Sequence, residues 1–481
     1  MKPGWKSKSG LLLALCVNFA YADEATDERI TKLQKMLEEQ QGQMKAMADE
    51  LKALQGARGK AEGQPVFASF KDGVKFEDGS GNWQLAINGR IQADYRNFDP
   101  DVDGADTFSL RRARLGGTMT FYKDYVARIE GEYSGGSTTL TYGYFDINKF
   151  KQARLRIGQF KPLYGLERST SSNLTDFLER SMGDSLLGST YDRGVMVYGS
   201  PLTGVSYSVA YLNGTGTTDE NNASNDSKDL TVRLTGNIAE MAAWKDAVVH
   251  VGGWWANGDE GSRRQASFIP TVQSEGRGVQ FFSTICVTAA CDGTATTASA
   301  FKDNVERTRG GAELALAYGP VKLQSEYIRV GFDAPTYNRD IETWYAALMW
   351  NVTGEPFAAM YKEGVFGRLK PMNNFGGSGW GALQLGVRYS KFDASDFKTT
   401  NAAGTGVLGV TTSETADGLV VATNEADAWT LGANWILNPN TRVMLNWVHT
   451  TFDTPITVRV NRQASAFDNE DALTMRAQFD F

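Results

Sequence analysis

The sequence has almost no histidine, 2 in 481 residues. That leaves no material for a His-rich metal site and little for a histidine-based catalytic triad, so no metal and no cofactor is expected. Cysteine numbers 3 and proline 12. There is no surplus of positive charge: Lys+Arg is 49 against Asp+Glu 56, a net charge of -7 with an isoelectric point near 5.2. No chain-wide footprint for nucleic acid exists, and no nucleic-acid partner is expected. Beyond the N-terminus no apolar run reaches ~18 residues, and mean hydropathy is -0.35, which excludes helical membrane spans. A membrane β-barrel survives this test, because strands that alternate apolar and polar residues look mild on hydropathy. Glycine, by contrast, is abundant at 51, as in turn-rich β-proteins.

Lys2, Lys6 and Lys8 form a positive start, Leu11 to Ala20 a short apolar core, and Ala20-Tyr21-Ala22 an A-x-A cleavage site before Asp23. Residues 1–22 are read as a secretory signal peptide. Cys16 raises a lipoprotein reading, but Leu15 is bulky where that processing takes a small residue. After cleavage Cys286 and Cys291 remain. An even pair in an exported chain points to a disulfide closing a small loop, which the spacing permits but does not force.

Residues 23–60 are rich in Glu, Gln, Lys, Met and Ala. Ile30, Leu37, Met44 and Leu51 share one heptad position; Leu33, Gln40, Met47 and Leu54 share the other. Four heptads with one polar interruption predict a coiled coil. It either self-associates or packs as a single solvated helix on its own protein. Gly56, Gly59 and Gly63-Gln64-Pro65 end it, and 61–82 reads as a linker leading into the main body.

From there the period falls to two. Trp83, Leu85, Ile87, Ile91, Ala93 and Tyr95 lie on one face of a strand, with Gln84, Asn88, Arg90, Gln92 and Asp94 on the other. The last strand repeats this, with Leu473, Met475, Ala477, Phe479 and Phe481 opposed to Thr474, Arg476, Gln478 and Asp480. Strands of about ten residues with aromatics near their ends fit a lipid-facing band with aromatic girdles. Sixteen are expected, near 83–96, 107–121, 125–134, 139–147, 153–160, 193–200, 204–212, 229–238, 246–256, 308–318, 321–330, 342–352, 380–392, 427–437, 441–452 and 470–481. Short turns alternate with the long connections 161–192, 257–307 and 393–426; only 353–379 is long where a short turn is due. The fold class is therefore all-β, a 16-stranded antiparallel transmembrane β-barrel over 83–481. It follows an N-terminal coiled-coil helix on the periplasmic side. Such a barrel is wide enough for a water-filled lumen. Phe481 fits the aromatic end typical of outer-membrane barrels, or serves simply as a girdle aromatic.

Alternation sends Arg90, Arg112, Arg114, Arg128, Arg154, Arg156, Arg233, Arg388 and Arg476 inward, along with Asp94, Glu130, Glu132, Asp146, Glu313 and Glu326. A guanidinium in a narrow pore needs a partner, and a passing anion can be one. Arg–Glu pairing that only stiffens the wall is the other reading. Segment 161–192 carries Lys161, Arg168, a Ser/Thr run at 169–172 and Arg180, and is the best candidate for a constriction; a Ser-rich exposed turn is the other reading.

Several segments now accumulate: Gly89-Arg90-Ile91-Gln92-Ala93-Asp94-Tyr95, Arg111-Arg112-Ala113, Gly143-Tyr144-Phe145-Asp146, Gly165-Leu166-Glu167-Arg168-Ser169-Thr170-Ser171-Ser172, Leu178-Glu179-Arg180, Thr353-Gly354-Glu355-Pro356 and Met475-Arg476-Ala477-Gln478. In order and number they make the chain resemble the phosphate-selective porin O and P family. The resemblance implies a homotrimer in outer-membrane lipid, with a central anion site built from Arg90, Arg168, Ser171, Ser172 and Arg180. Segment 161–192 would fold into the lumen, Asp146 would orient the cations and limit over-tight anion binding, and Arg111 and Arg112 would continue the path. Arg263, Arg264 and Arg277 would be the attracting cations of the outer mouth. Arg114 and Lys161 stand where phosphate-selective members place aromatics, so the resemblance implies a more cationic constriction, suited to larger polyanions.

The function expected is passive diffusion of inorganic anions: phosphate, pyrophosphate or short polyphosphate. The alternative is a general or weakly selective porin whose coiled coil tethers the envelope. Four heptads reach roughly 40 Å at 1.5 Å per residue, within range of peptidoglycan. An enzyme is not expected; His250 and His449 have no serine motif beside them.

Overall fold

The structure is a computed structural model that describes residues 24–58, 66–70, 73–101, 106–214, 216–217, 228–260, 271–282, 285–286, 305–334, 337–377, 379–399, 419–421, 423–460 and 463–481. The signal peptide, Arg263, Arg264, Cys291 and hence the Cys286–Cys291 bond lie outside the described residues. The chain divides into two compact units, Met1–Pro65 and Val66–Phe481.

The first unit contains α1, Glu24–Arg58, an unbroken 35-residue helix. Leu33, Leu37, Met44 and Met47 of the expected seam are all exposed along it.

In the second unit a short hairpin, β1 (Val66–Ser69) and β2 (Val74–Asp78), leads into the barrel. The barrel begins with β3 (Trp83–Asp99), β4 (Thr107–Phe121), β5 (Tyr125–Glu132), β6 (Thr139–Phe150) and β7 (Ala153–Phe160). It continues with β8 (Asp192–Gly199), β9 (Val205–Leu212), β10 (Asp229–Asn237) and β11 (Ala247–Glu260). The remaining strands are β12 (Val305–Tyr318), β13 (Val321–Ala334), β14 (Tyr337–Asn351), β15 (Ala382–Asp393), β16 (Glu425–Asn438), β17 (Thr441–Val460) and β18 (Gln463–Asp480). Each of β3 to β18 pairs antiparallel with its neighbours, and β18 closes on β3 from Asp480↔Arg90 to Asp471↔Asp99. Sixteen strands thus form a closed barrel, which leaves none of β3 to β18 as an edge strand. β2 continues the wall along the start of β3, with Val74 opposite Ile87. The Phe481 N–H donates to the Gly89 oxygen and the Gly89 N–H to the Phe481 oxygen, both at 3.0 Å.

Period-two alternation sorts the faces as the sequence implies. On β18, Leu473, Met475 and Phe479 are exposed, while Thr474, Arg476, Gln478 and Asp480 are buried in the lumen. Outward aromatics form bands: the Trp344, Tyr389 and Trp429 rings succeed one another at 5.4 and 4.9 Å across neighbouring strands. This is the amphipathic girdle a lipid interface selects.

The lumen is not empty. Segment 161–191 crosses it and is pinned to the β12–β18 half. Lys322 Nζ donates to Asp176 at 2.6 Å, Arg442 to the Thr175 oxygen at 2.9 Å, Asn434 to the Asp176 oxygen at 2.6 Å and Arg309 to the Leu187 oxygen at 2.9 Å. Behind it Phe281, Phe282, Phe392 and Phe397 pack edge-to-face, with Phe452 tilted against Phe281, in an apolar cluster that lies in that half. Residues 353–379, the long connection on the short-turn side, also turn inward. Their short 3-10 helix (Phe357–Met360) and hairpin (Tyr361–Lys362 with Val365–Phe366) put Phe357 and Phe366 under the Lys322 ammonium. Arg154 reaches Glu363 at 2.7 Å and Arg233 the Gly364 oxygen at 2.9 Å. Length at this place reflects an inward fold, which explains the break in the short–long rhythm.

Candidate functional site

One open space lies between the inward segment and the β3–β6 wall. Arg90 on β3, Arg111, Arg112 and Arg114 on β4, Lys161, Ser171, Ser172 and Arg180 of the inward segment, and Arg277 line one cavity of about 390 Å³. Its lining holds seven cations against three carboxylates: Glu179, Asp184 and Glu275.

Two local features bring these side chains together. The first is a bulge. Gln92 pairs with Arg112 but Ala93 with Leu110, so Arg111 is the extra residue and both arginines turn inward. A second bulge, between Glu130 and Gly131, does the same for Thr141 and Tyr142 on β6. The other feature is the tip of the inward segment. Gly165 has φ +62°, and a Cβ there would sit 2.2 Å from a Glu326 carboxylate oxygen, so only glycine fits. That carboxylate accepts the Leu166 and Glu167 N–H groups at 2.7 and 2.6 Å, starting the short helix α2 (Leu166–Ser169). Lys161 Nζ closes the other end, donating to the Arg168, Ser169 and Thr170 oxygens at 2.6, 3.3 and 3.1 Å.

Around the cavity, Arg90 Nη1 donates to Ser172 Oγ at 2.8 Å, and Gln92 Nε2 donates to the Ser172 oxygen at 3.2 Å. Arg112 donates to Gln92 Oε1 at 2.8 Å, and among the described residues no carboxylate pairs with it. Arg180 binds the Glu167 and Thr170 oxygens and lies 3.6 Å from Asp184. Ser171 Oγ donates to Asn173 at 2.5 Å.

The expected site residues separate here into those the cavity gathers and those it does not. Arg168 is buried away from it, with Nε 2.7 Å from Asp184 and Nη2 donating to the Asp184 and Gly188 oxygens. It stiffens the segment. Asp146 takes Arg156 bidentately at 2.7 and 2.8 Å and the Tyr198 hydroxyl at 2.9 Å, outside the cavity lining. Arg277 does not lie where it was expected. Expected at the outer mouth, it lines the central cavity because residues 271–282 fold inward. Glu275 holds that turn, accepting from Arg388 at 2.7 Å and Thr430 at 2.8 Å, while Glu470 accepts the Val279 N–H at 2.8 Å. Arg114 and Lys161 add less free charge than their types suggest. Arg114 donates to Glu132 at 2.6 Å and to the Tyr191 hydroxyl at 2.6 Å, and the Lys161 ammonium is given over to three carbonyls. Tyr142 and Tyr191, edge-to-face at 5.0 Å, supply aromatic lining that alternation alone did not reveal.

Crowding of like charge shows in the loop cations. Burial, with Arg180 and Arg168 beside it, pulls the Lys161 ammonium well below its ordinary value. Burial and then Arg111 pull the Arg277 guanidinium down to about 10. Both cations would be relieved by an arriving anion. Burial alone would raise the Glu179 carboxyl, but Arg111 and Arg476 hold it well below the usual range. The histidines are elsewhere: His250 contacts the Tyr361 hydroxyl at 2.6 Å and Glu313 at 3.1 Å, and His449 contacts Asp471.

The family model described as phosphate-selective porin O and P matches residues 85–481. The chain belongs to that family. It is an outer-membrane porin, a channel rather than an enzyme. Porin O of Pseudomonas aeruginosa is 27% identical over 420 residues, 82% of this porin and 88% of the relative. Among solved structures, this porin is similar to an anion-selective porin from Comamonas acidovorans, with 10% identity, 83% and 100% of the two chains covered, and a TM-score of 0.49. It is also similar to the outer membrane channel DcaP of Acinetobacter baumannii, with 11% identity, 84% and 99% covered, and a TM-score of 0.46.

Proposed function

We propose that this porin lets inorganic oxyanions, phosphate, pyrophosphate or short polyphosphate, diffuse down their gradient through the arginine-lined cavity. The observation that carries this is the imbalance at the cavity: among the described residues Arg112 donates to Gln92 and pairs with no carboxylate, and Arg277 has no carboxylate within ion-pair distance, while Arg90 is aimed by Ser172. Arginine suits the task because its planar fork donates to two oxyanion oxygens at once and stays charged. A site that conducts must also release its ion, and the carboxylates in the lining provide that opposing term.

The reading extends to the rest of the chain. A homotrimer in outer-membrane lipid accords with the family and with the apolar outer face of β3–β6, where Ile91, Phe108, Leu110, Leu115 and Ile129 are exposed. The helix Glu24–Arg58 is proposed as a periplasmic coiled coil joining copies through its exposed Leu/Met seam. Its length also suits a tether toward peptidoglycan, a role compatible with transport.

The test is planar-bilayer current with phosphate and pyrophosphate added in turn. Chloride current blocked by both, with pyrophosphate effective at the lower concentration, is the result expected. Cation preference, or chloride current indifferent to both anions, contradicts the proposal.

A further inference from the structure

Glu179 stands apart from the other carboxylates of the cavity. Asp184 is engaged by Arg168 and Arg180, and Glu275 by Arg388 and Thr430. Both hold loop geometry. Glu179 instead reaches back to the wall. It accepts from Arg111 Nε at 2.9 Å and Nη2 at 3.2 Å, from Arg96 at 3.1 Å and from Arg476 at 2.9 Å. Arg96 and Arg476 have a second carboxylate, Asp94, at 2.7 Å each. Arg111 has no other acid among the described residues, and it lies in the cavity lining next to Arg112 and Arg277. The inward segment therefore places one negative charge on the cation that an oxyanion in this cavity meets.

We infer that Glu179 is a specificity-determining residue, a fixed counter-anion that competes with the permeating oxyanion for Arg111 and keeps binding weak enough for release. The inference rests on the proposed anion pathway. Two like charges sharing one guanidinium repel, so the carboxylate raises the free energy of the occupied cavity more than that of the empty one. Removing its charge strengthens occupancy and slows departure. A purely structural anchor behaves in the opposite sense: losing it loosens the segment and weakens occupancy.

The experiment uses the full-length porin in planar bilayers, wild type against Glu179→Gln, which keeps the shape and an acceptor oxygen. In phosphate titrations of chloride current, the half-blocking concentration is expected to fall about tenfold. In potassium chloride alone, chloride-over-potassium permeability is expected to rise. A half-blocking concentration unchanged or raised in a channel whose wild type is blocked overturns the inference, as does an unchanged or lower chloride preference. A wild type that phosphate does not block, combined with a higher chloride preference in the variant, overturns the phosphate reading and leaves the competing role of Glu179 standing. If Glu179→Gln fails to insert, Glu179→Asp retracts the charge from Arg111 by one methylene. Its block is expected to be tighter than wild type, and a wild-type or weaker block overturns the inference.

Discussion

Arg111 and Arg112 are adjacent, yet both look into the lumen, because one bulged residue on β4 cancels the usual change of face. The cost of packing two guanidinium groups side by side is met on one side only, where Glu179 pairs with Arg111. Among the described residues Arg112 is left with an amide. A charge-assisted hydrogen bond is worth about 1.5–3 kcal/mol, so Arg112→Gln is expected to weaken phosphate block by roughly tenfold. Arg156→Gln removes a cation tied to Asp146 outside the cavity, and is expected to change block less than about twofold. Titrating chloride current with phosphate in both variants checks the contrast. Equal losses would mean that block reports the charge of the whole lumen rather than this cavity.

At the scale of the element, the inward segment 161–191 is proposed to turn a wide barrel into a selective one. Its fold depends on contacts from strands more than a hundred residues away, Glu326 at its tip above all. Gly165→Ala forces a methyl group onto that carboxylate and disfavours φ +62°. A cost of about 1–3 kcal/mol is expected, seen as flickering current and weaker phosphate block in a barrel that still resists heat on a gel. Quiet current with normal block would show that the tip is not anchored through Glu326. The barrel strands were legible because each is simple: period two, a girdle aromatic, a short turn. Most of the expected sixteen lie within a few residues of those observed, but the last hairpin, Thr441–Val460 with Gln463–Asp480, extends seven to eight residues further than expected. The segment's place in the lumen was legible only through its length and resemblance. Its internal logic was not, since Lys161 and Arg168 carry the residue types of a binding site while bonding to the segment's own carbonyls and Asp184. Arg277 was misplaced for the same reason: nothing local in 271–282 tells that Glu275 will find Arg388 across the lumen. The hairpin Val66–Asp78 was missed because its four- and five-residue strands are too short for alternation to register.

For the whole molecule, the two compact units are expected to make separable contributions. Deleting residues 24–58 is expected to leave single-channel conductance and phosphate block within about twofold of wild type, because every residue lining the cavity lies in the barrel. Envelope integrity under osmotic or detergent stress is the measurement on which the helix should tell, and a lost phosphate block in the truncated porin would make the helix part of the pore. The central claim, that oxyanions occupy one cavity between the inward segment and β3–β4, is tested most directly by diffraction from crystals soaked in arsenate. An anomalous arsenic peak within hydrogen-bond reach of Arg90, Arg112 and Ser172 is the result expected. Well-ordered crystals with arsenic bound only outside the lumen, or with no arsenic at all, would contradict it.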